Sequence, residues 1–284
     1  MAVRATSFFG KESMSDEPDH ISISQANEWL GCQLQFAYHR IEQTPPMDVS
    51  GSLVVGSAVH AAIEAHYKAK QASQSLDAKA MLEIFTDYLA AEENEHFVNF
   101  KGTRDEEIQM ARGLFEVFLE GQTDNKPIAI EEMFRLDIPG LPVPVLGRVD
   151  LIEEEAVTGD LIIVDFKTAA AKPSGSNDNY VLGDIEASDQ MTLYGIWGRQ
   201  AYPGRRIRLR MDYLLKTKKP ALLRLETSRS QQQEQALQAL LCRVWNQLEL
   251  LRAKVIEPVA QRSFRCNGCG WRHLCPAQRS LKAA

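Results

Sequence analysis

No apolar run in this 284-residue chain approaches the ~18 residues that a membrane-crossing helix needs. The densest stretch, Leu161-Ile162-Ile163-Val164, is strand-length. The first twenty residues hold no apolar block of the signal-peptide kind and are broken by Asp16, Pro18 and Asp19. Neither membrane anchoring nor secretion is expected, and the expected location is cytoplasmic. Basic excess is missing too: 32 Lys plus Arg stand against 38 Asp plus Glu, a net charge of −6. That excludes a protein that coats nucleic acid by bulk charge. It leaves room for a nucleic-acid enzyme, whose metal site is itself made of carboxylates. No G-x-x-x-x-G-K-S/T pattern occurs, so the chain carries no visible nucleotide-driven motor. Cysteine is scarce and odd in number: Cys32, Cys242, Cys266, Cys269 and Cys275 do not make a disulfide framework.

What is present is 44% apolar and 25% charged, an ordinary globular composition, without internal repeat or low-complexity block. Residues 1–20 read as a flexible tail, and 21–284 as a single domain. Ser22 and Ser24 are cap candidates for a helix carrying Trp29, Leu30, Leu34 and Phe36 up to Pro45-Pro46. Further helices are expected from near Gly56, from Asp77, and from the capping box Thr103-Arg104-Asp105-Glu106. This helical part spans 21–122. The period then changes, and strands are expected at 128–138, 143–153 and 161–167. A polar loop over 172–183, a helix over 184–200, strands at 206–215 and 221–226 and a helix over 230–255 follow, then a cysteine-rich tail at 262–277. The core, 127–227, should be a mixed α/β (α+β) sheet of about five strands with helices on its faces.

Gly147-Arg148-Val149-Asp150 and Val164-Asp165-Phe166-Lys167-Thr168 carry the first chemistry. Side chains alternate along a strand, so Asp165 and Lys167 share a face and Phe166 takes the other. A hairpin centred between Val157 and Thr158 sets position 150 opposite position 165. Two facing carboxylates beside a lysine suit a hard cation such as Mg²⁺, and the Phe166 carbonyl offers a further oxygen. The competing reading is two solvated strand-end aspartates.

These motifs resemble the RecB-like branch of the PD-(D/E)XK nuclease superfamily, whose core is G-x-x-D followed by D/E-x-K on the next strand. Gly56-Ser57-Ala58-Val59-His60 matches the branch's upstream G-x-x-x-H, and Gln190-Met191-Thr192-Leu193-Tyr194 its downstream Q-x-x-x-Y. Four motifs in order span about residues 21–277. The resemblance implies a restriction-endonuclease-like core and Mg²⁺- or Mn²⁺-assisted hydrolysis of DNA, with exonuclease action on single-stranded or end-containing DNA. His60 would be a metal ligand with Asp150, Asp165 and the Phe166 carbonyl. Lys167 would orient water and stabilise phosphate charge. Gln190 and Tyr194, one turn apart on a helix face, would hold a phosphate or base. One acid of the preceding strand, Glu131 or Glu132, would complete the site, and alternation lets only one of these neighbours point inward. A separate helicase, recombinase or CRISPR-adaptation protein would be the partner. The rival class is a non-catalytic DNA-binding or scaffold subunit with the same fold.

Cys266-Asn267-Gly268-Cys269 with Cys275 has ligand spacing, and a site of four cysteines can hold zinc or a [4Fe–4S] cluster. A subset of RecB-like nucleases, the AddB type and CRISPR-adaptation exonucleases, pairs one N-terminal cysteine with a C-terminal C-x2-C-x5-C. Resemblance to it implies an iron–sulfur cluster on Cys32, Cys266, Cys269 and Cys275, with zinc the lesser alternative. Cys32 is expected on the first helix and Cys242 in the core. Finally, Arg199, Arg205, Arg206, Arg208, Arg210, Lys216, Lys218 and Lys219 stand against Asp212 alone over 199–219. The alternating Arg206, Arg208 and Arg210 read as a phosphate-binding row or as a charged guard on an edge strand.

Overall fold

A computed structural model of the chain describes residues 20–170 and 185–279. Residues 1–19 of the expected tail and the polar loop at 172–183 lie outside the described residues. Helix α1 (Ile23–Gly31) begins where the Ser22 hydroxyl accepts the Gln25 N–H and the Gln25 side chain returns the bond. Cys32 does not continue that helix. It is extended (φ −168°) and separates α1 from α2 (Gln33–Phe36), which runs into a π-helical turn at Ala37–Ile41. Helix α3 (Gly51–Gln71) starts five residues before Gly56, the start expected from the motif. A Cβ at Gly51 would meet backbone atoms of Phe100 and Asn99 within 3 Å, so only glycine seats the helix against them. Helices α4 (Ala78–Glu95) and α5 (Arg104–Glu120) open on Asp77 and on the Thr103 capping box, as their sequences require. A two-residue parallel pair, β1 (Val49–Ser50) ahead of α3 and β2 (Val98–Asn99) between α4 and α5, interrupts a region read as wholly helical. Strands that short have no period to detect.

The main sheet comprises β3 (Lys126–Leu136), β4 (Val145–Glu154), β5 (Leu161–Ala170), β6 (Ile207–Lys216) and β7 (Ala221–Thr227), adjacent in that order. All neighbours are antiparallel except β5 and β6, whose parallel pairing follows the crossover through α6 (Asp189–Ala201). Helix α7 (Gln231–Arg252) and a short α8 (Pro276–Arg279) complete the mixed α/β fold. One sheet face packs Ile163, Leu209 and Met211 against Trp29 of α1, Met191 and Trp197 of α6, and Leu241 and Trp245 of α7. The other packs Val164, Phe166 and Leu214 against Val59 of α3, Phe85 of α4 and Phe115 of α5. Among the described residues no helix is long and apolar enough to cross a membrane.

The arginine row is corrected by this topology. Strand β6 is interior, so it guards no edge, and its Arg208 and Arg210, like the exposed Arg206 just before it, meet carboxylates of the same chain. Arg210, only 5% exposed, pairs with Glu153 (2.7 Å) and Asp212 (2.7 Å). Arg208 pairs with Glu155 and Glu226, and Arg206 with Asp160. Cys242 is likewise half-buried beside Gly140 rather than a core residue.

Candidate active site

The β4–β5 hairpin pairs Leu151 with Val164, Ile152 with Ile163, Glu153 with Ile162 and Glu154 with Leu161, centred as its sequence predicts. Carried one residue further, this register sets Asp150 opposite Asp165. Asp150 is held by backbone: its Oδ2 accepts the Phe166 N–H at 2.8 Å. Asp165 is fully buried, and among the described residues neither of its oxygens accepts a hydrogen bond. The Lys167 ammonium stands 2.8 Å from its Oδ2, close enough for charge pairing but off line for a hydrogen bond. Burial, opposed by Lys167 and reinforced by Asp150, pushes the Asp165 carboxyl up to about 6. Burial alone would lower Lys167, but Asp165 and Asp150 outweigh it and raise its pKa. Lys167 is therefore a fixed cation.

Strand β3 supplies the acid that alternation left undecided. Ile130 pairs with Leu151 and Glu132 with Val149, which brings Glu131 opposite Asp150. Glu131 has φ 51°, a left-handed backbone that non-glycine residues rarely take and that marks functional sites. The local twist sends its neighbour away, and Glu132 instead accepts a hydrogen bond from the Tyr202 hydroxyl at 3.3 Å. His60, on α3, lies with Nδ1 3.5 Å from Asp150 Oδ2. Ligand atoms of His60, Glu131 and Asp150 all fall within 4.8 Å of one another. Burial first, then the Asp150 charge, raise the Glu131 carboxyl to about 7, against the pull of Arg148 at 2.7 Å. The backbone distortion that selects Glu131 has no signature in its side-chain pattern.

Gln190 and Tyr194 share a face of α6, but the structure turns them to an internal task. Tyr194 is 1% exposed, and its hydroxyl donates to the Arg148 carbonyl at 2.7 Å. Gln190 donates to that hydroxyl at 2.6 Å and accepts from the Lys167 ammonium at 3.1 Å. The pair contacts Lys167 and ties α6 to β4, with the Tyr194 hydroxyl buried against the Arg148 carbonyl. Gly147 lets this happen: a Cβ there would lie 2.3 Å from the ring of Phe134, which stacks on Trp197 of α6 at 4.7 Å.

A divalent cation fits these residues. A buried carboxylate whose oxygens accept no hydrogen bond among the described residues, a second one made proton-seeking by burial and then by Asp150, and an imidazole within ligand range are groups that a cation would satisfy together.

The second cluster lies at the junction of the N- and C-terminal segments. Cys32, Cys266, Cys269 and Cys275 line one cavity of about 170 Å³, and none is in a disulfide. Burial, followed by the other three thiols, raises Cys269. The tail that carries them is tied down by Arg272, which donates to both oxygens of Asp48 (2.6 and 2.5 Å), and by Trp271, whose indole donates to the Thr44 carbonyl at 2.7 Å.

The mixed five-stranded sheet, with its Asp-bearing hairpin and helix-borne histidine, defines a restriction-endonuclease-like fold with a candidate divalent-metal site. The family model of the PD-(D/E)XK nuclease superfamily matches residues 20–276, and the chain belongs to that superfamily, whose members use divalent metals. No curated protein matches the chain. A candidate exonuclease from Eubacterium rectale is similar in structure, with a TM-score of 0.55 at 12% identity over 92% of this chain and 87% of the other. The structure of SSO0001 covers 90% of this chain and 93% of its own at 13% identity, with a TM-score of only 0.35.

Proposed function

We propose that this protein is an Mg²⁺- or Mn²⁺-dependent DNA exonuclease acting on single-stranded or end-containing DNA in recombination, repair or CRISPR adaptation. The observation that carries the reading is the convergence of His60, Glu131 and Asp150 within 4.8 Å, beside a fully buried Asp165. His60, Glu131 and Asp150 would hold the ion, with Asp165 and the Phe166 carbonyl as adjoining oxygen donors. Bound there, such an ion supplies Lewis-acid polarisation of the phosphodiester and a more acidic water. Lys167, permanently charged, has three N–H donors. One donor goes to Gln190 while the charge pairs with Asp165, which leaves an N–H for a phosphoryl oxygen. Exonuclease action is supported by the RecB-like motifs and by the similarity to the candidate exonuclease.

The same resemblance supports a [4Fe–4S] cluster on Cys32, Cys266, Cys269 and Cys275. Among the described residues no three of these thiols come within 4.8 Å of one another. A cytoplasmic setting and a separate helicase, recombinase or CRISPR-adaptation partner belong to this proposal.

End-labelled single strands incubated with and without Mn²⁺ test it. Progressive shortening that needs the ion and vanishes in Asp165→Asn is the expected result. Binding without degradation in either ion would assign the chain to the non-catalytic DNA-binding class.

A further inference from the structure

We propose that the β6–β7 hairpin, through Lys216, Lys218 and Lys219, holds the phosphodiester backbone of the substrate strand beside the carboxylate site. The proposal rests on the nuclease reading above and adds the surface that the strand lies on. Five of the eight basic residues between 199 and 219 are arginines, and each has a carboxylate partner within 4 Å, Arg210 in the interior and Arg206 at the surface. Arg199 meets Glu234, Arg205 meets Glu154, Arg206 meets Asp160, Arg208 meets Glu155 and Glu226, and Arg210 meets Glu153 and Asp212. The three lysines have no ion pair or side-chain hydrogen bond among the described residues. Lys218 and Lys219 are exposed and Lys216 is half-buried. Among the described residues these three of the eight keep their charge for another partner.

Topology puts that charge at the correct end of the sheet. Strands β5 and β6 run parallel, with Lys167 beside Tyr213 and Ala170 beside Lys216. At ~3.3 Å per residue, Lys216 lies roughly 10 Å along β6 from the position that flanks Lys167. Arg205 and Arg206 sit at the other end, just before the pair Leu161–Ile207, and Arg210 lies mid-strand opposite Val164. The hairpin is also braced. A Cβ at Gly113 of α5 would lie 2.7 Å from the Pro220 ring, so glycine lets the turn seat directly on the helix. The Thr217 hydroxyl donates to the Lys219 carbonyl across the turn. A firm platform of unpaired ammonium groups binds a polyanion without regard to sequence, by release of condensed counterions. That is what an enzyme degrading arbitrary strands requires.

The test is equilibrium binding of a fluorescent single-stranded oligodeoxynucleotide by the full chain without divalent ion, titrated over NaCl, alongside Mn²⁺-dependent cleavage. In K216Q/K218Q/K219Q the slope of log affinity against log salt should become shallower by about 2, at ~0.7 per lost contact. K218Q/K219Q, confined to exposed positions, should lose about 1.4. R205Q/R206Q, which removes two positive charges from the far end of the sheet, should keep the wild-type slope. An unchanged slope in the lysine variants, or an equal loss in the arginine variant, overturns the platform even if wild-type protein cleaves DNA. Wild-type protein that neither binds nor cleaves overturns the nuclease reading along with it.

Discussion

Asp165, in the proposed metal site, is placed where a carboxylate costs stability. A buried carboxylate with no hydrogen-bond donor is costly, and its pKa near 6 records that cost. Asp165→Asn should abolish cleavage yet raise the melting temperature of the metal-free protein by a few degrees, since ~1 kcal/mol corresponds to about 2–4 °C in a chain of this order. Calorimetry of both proteins in chelator, with a parallel cleavage assay, checks the two effects together. Lys167→Ala should lower kcat by about 10²–10³, the usual loss on deleting a group that meets developing charge. The measurement is single-turnover cleavage at saturating Mn²⁺. Asp150, Asp165 and Lys167 were legible in the sequence because period-two alternation and one tight turn place them. Glu131 was not, since its left-handed φ breaks the alternation by which Glu131 and Glu132 would be told apart.

At the scale of elements, β6 is the strand whose sequence misleads. Its alternating arginines suggest a surface, but the sheet order makes β6 interior and turns Arg210 into the centre of a buried network with Glu153, Asp212 and Asn125. Arg210→Met should cost on the order of 3–5 kcal/mol, because two carboxylates lose a buried partner. Urea unfolding measures it, and the salt slope of DNA binding should not move. The docking of the cysteine tail is a second element-scale contact. The hydrogen bond from Arg272 holds the Asp48 carboxyl below its usual value of 3.8, against some desolvation. A carboxyl depressed in the folded state contributes stability above its unfolded pKa and loses it as pH falls. Acidification below about pH 4 should therefore loosen the tail, read by the fluorescence of Trp271. Asp48→Asn should abolish that acid-dependent step.

Across the whole molecule, Cys32 and the tail cysteines close a loop of more than two hundred residues, so a group bound between them constrains most of the chain. Anaerobically prepared protein should be brown and contain about four irons, as a [4Fe–4S] centre implies. Cys32→Ala should lose the colour and much of the stability, and Cys242→Ala, a half-buried residue outside the cavity, should keep both. Metal analysis and absorbance spectra decide between this outcome and stoichiometric zinc in colourless, active protein.

The sequence by itself determined what depends on local order. Capping residues set helix starts at Ser22, Asp77 and Thr103, and the hairpin symmetry about 157–158 pairs Leu151 with Val164, the neighbours of Asp150 and Asp165. The C-x2-C-x5-C spacing marks three cysteines as neighbours. Tertiary structure decided what depends on which element lies beside which. The placement of β6 between β5 and β7 buried Arg210 and left the lysines without an ion pair among the described residues. The packing of α6 on β4 turned Tyr194 inward to the Arg148 carbonyl. The seating of Gly51 against Phe100 carried α3 and His60 to Asp150. Alternation and capping act within a few residues, whereas strand order and helix docking are set by burial of apolar faces across the whole chain, which no local pattern encodes.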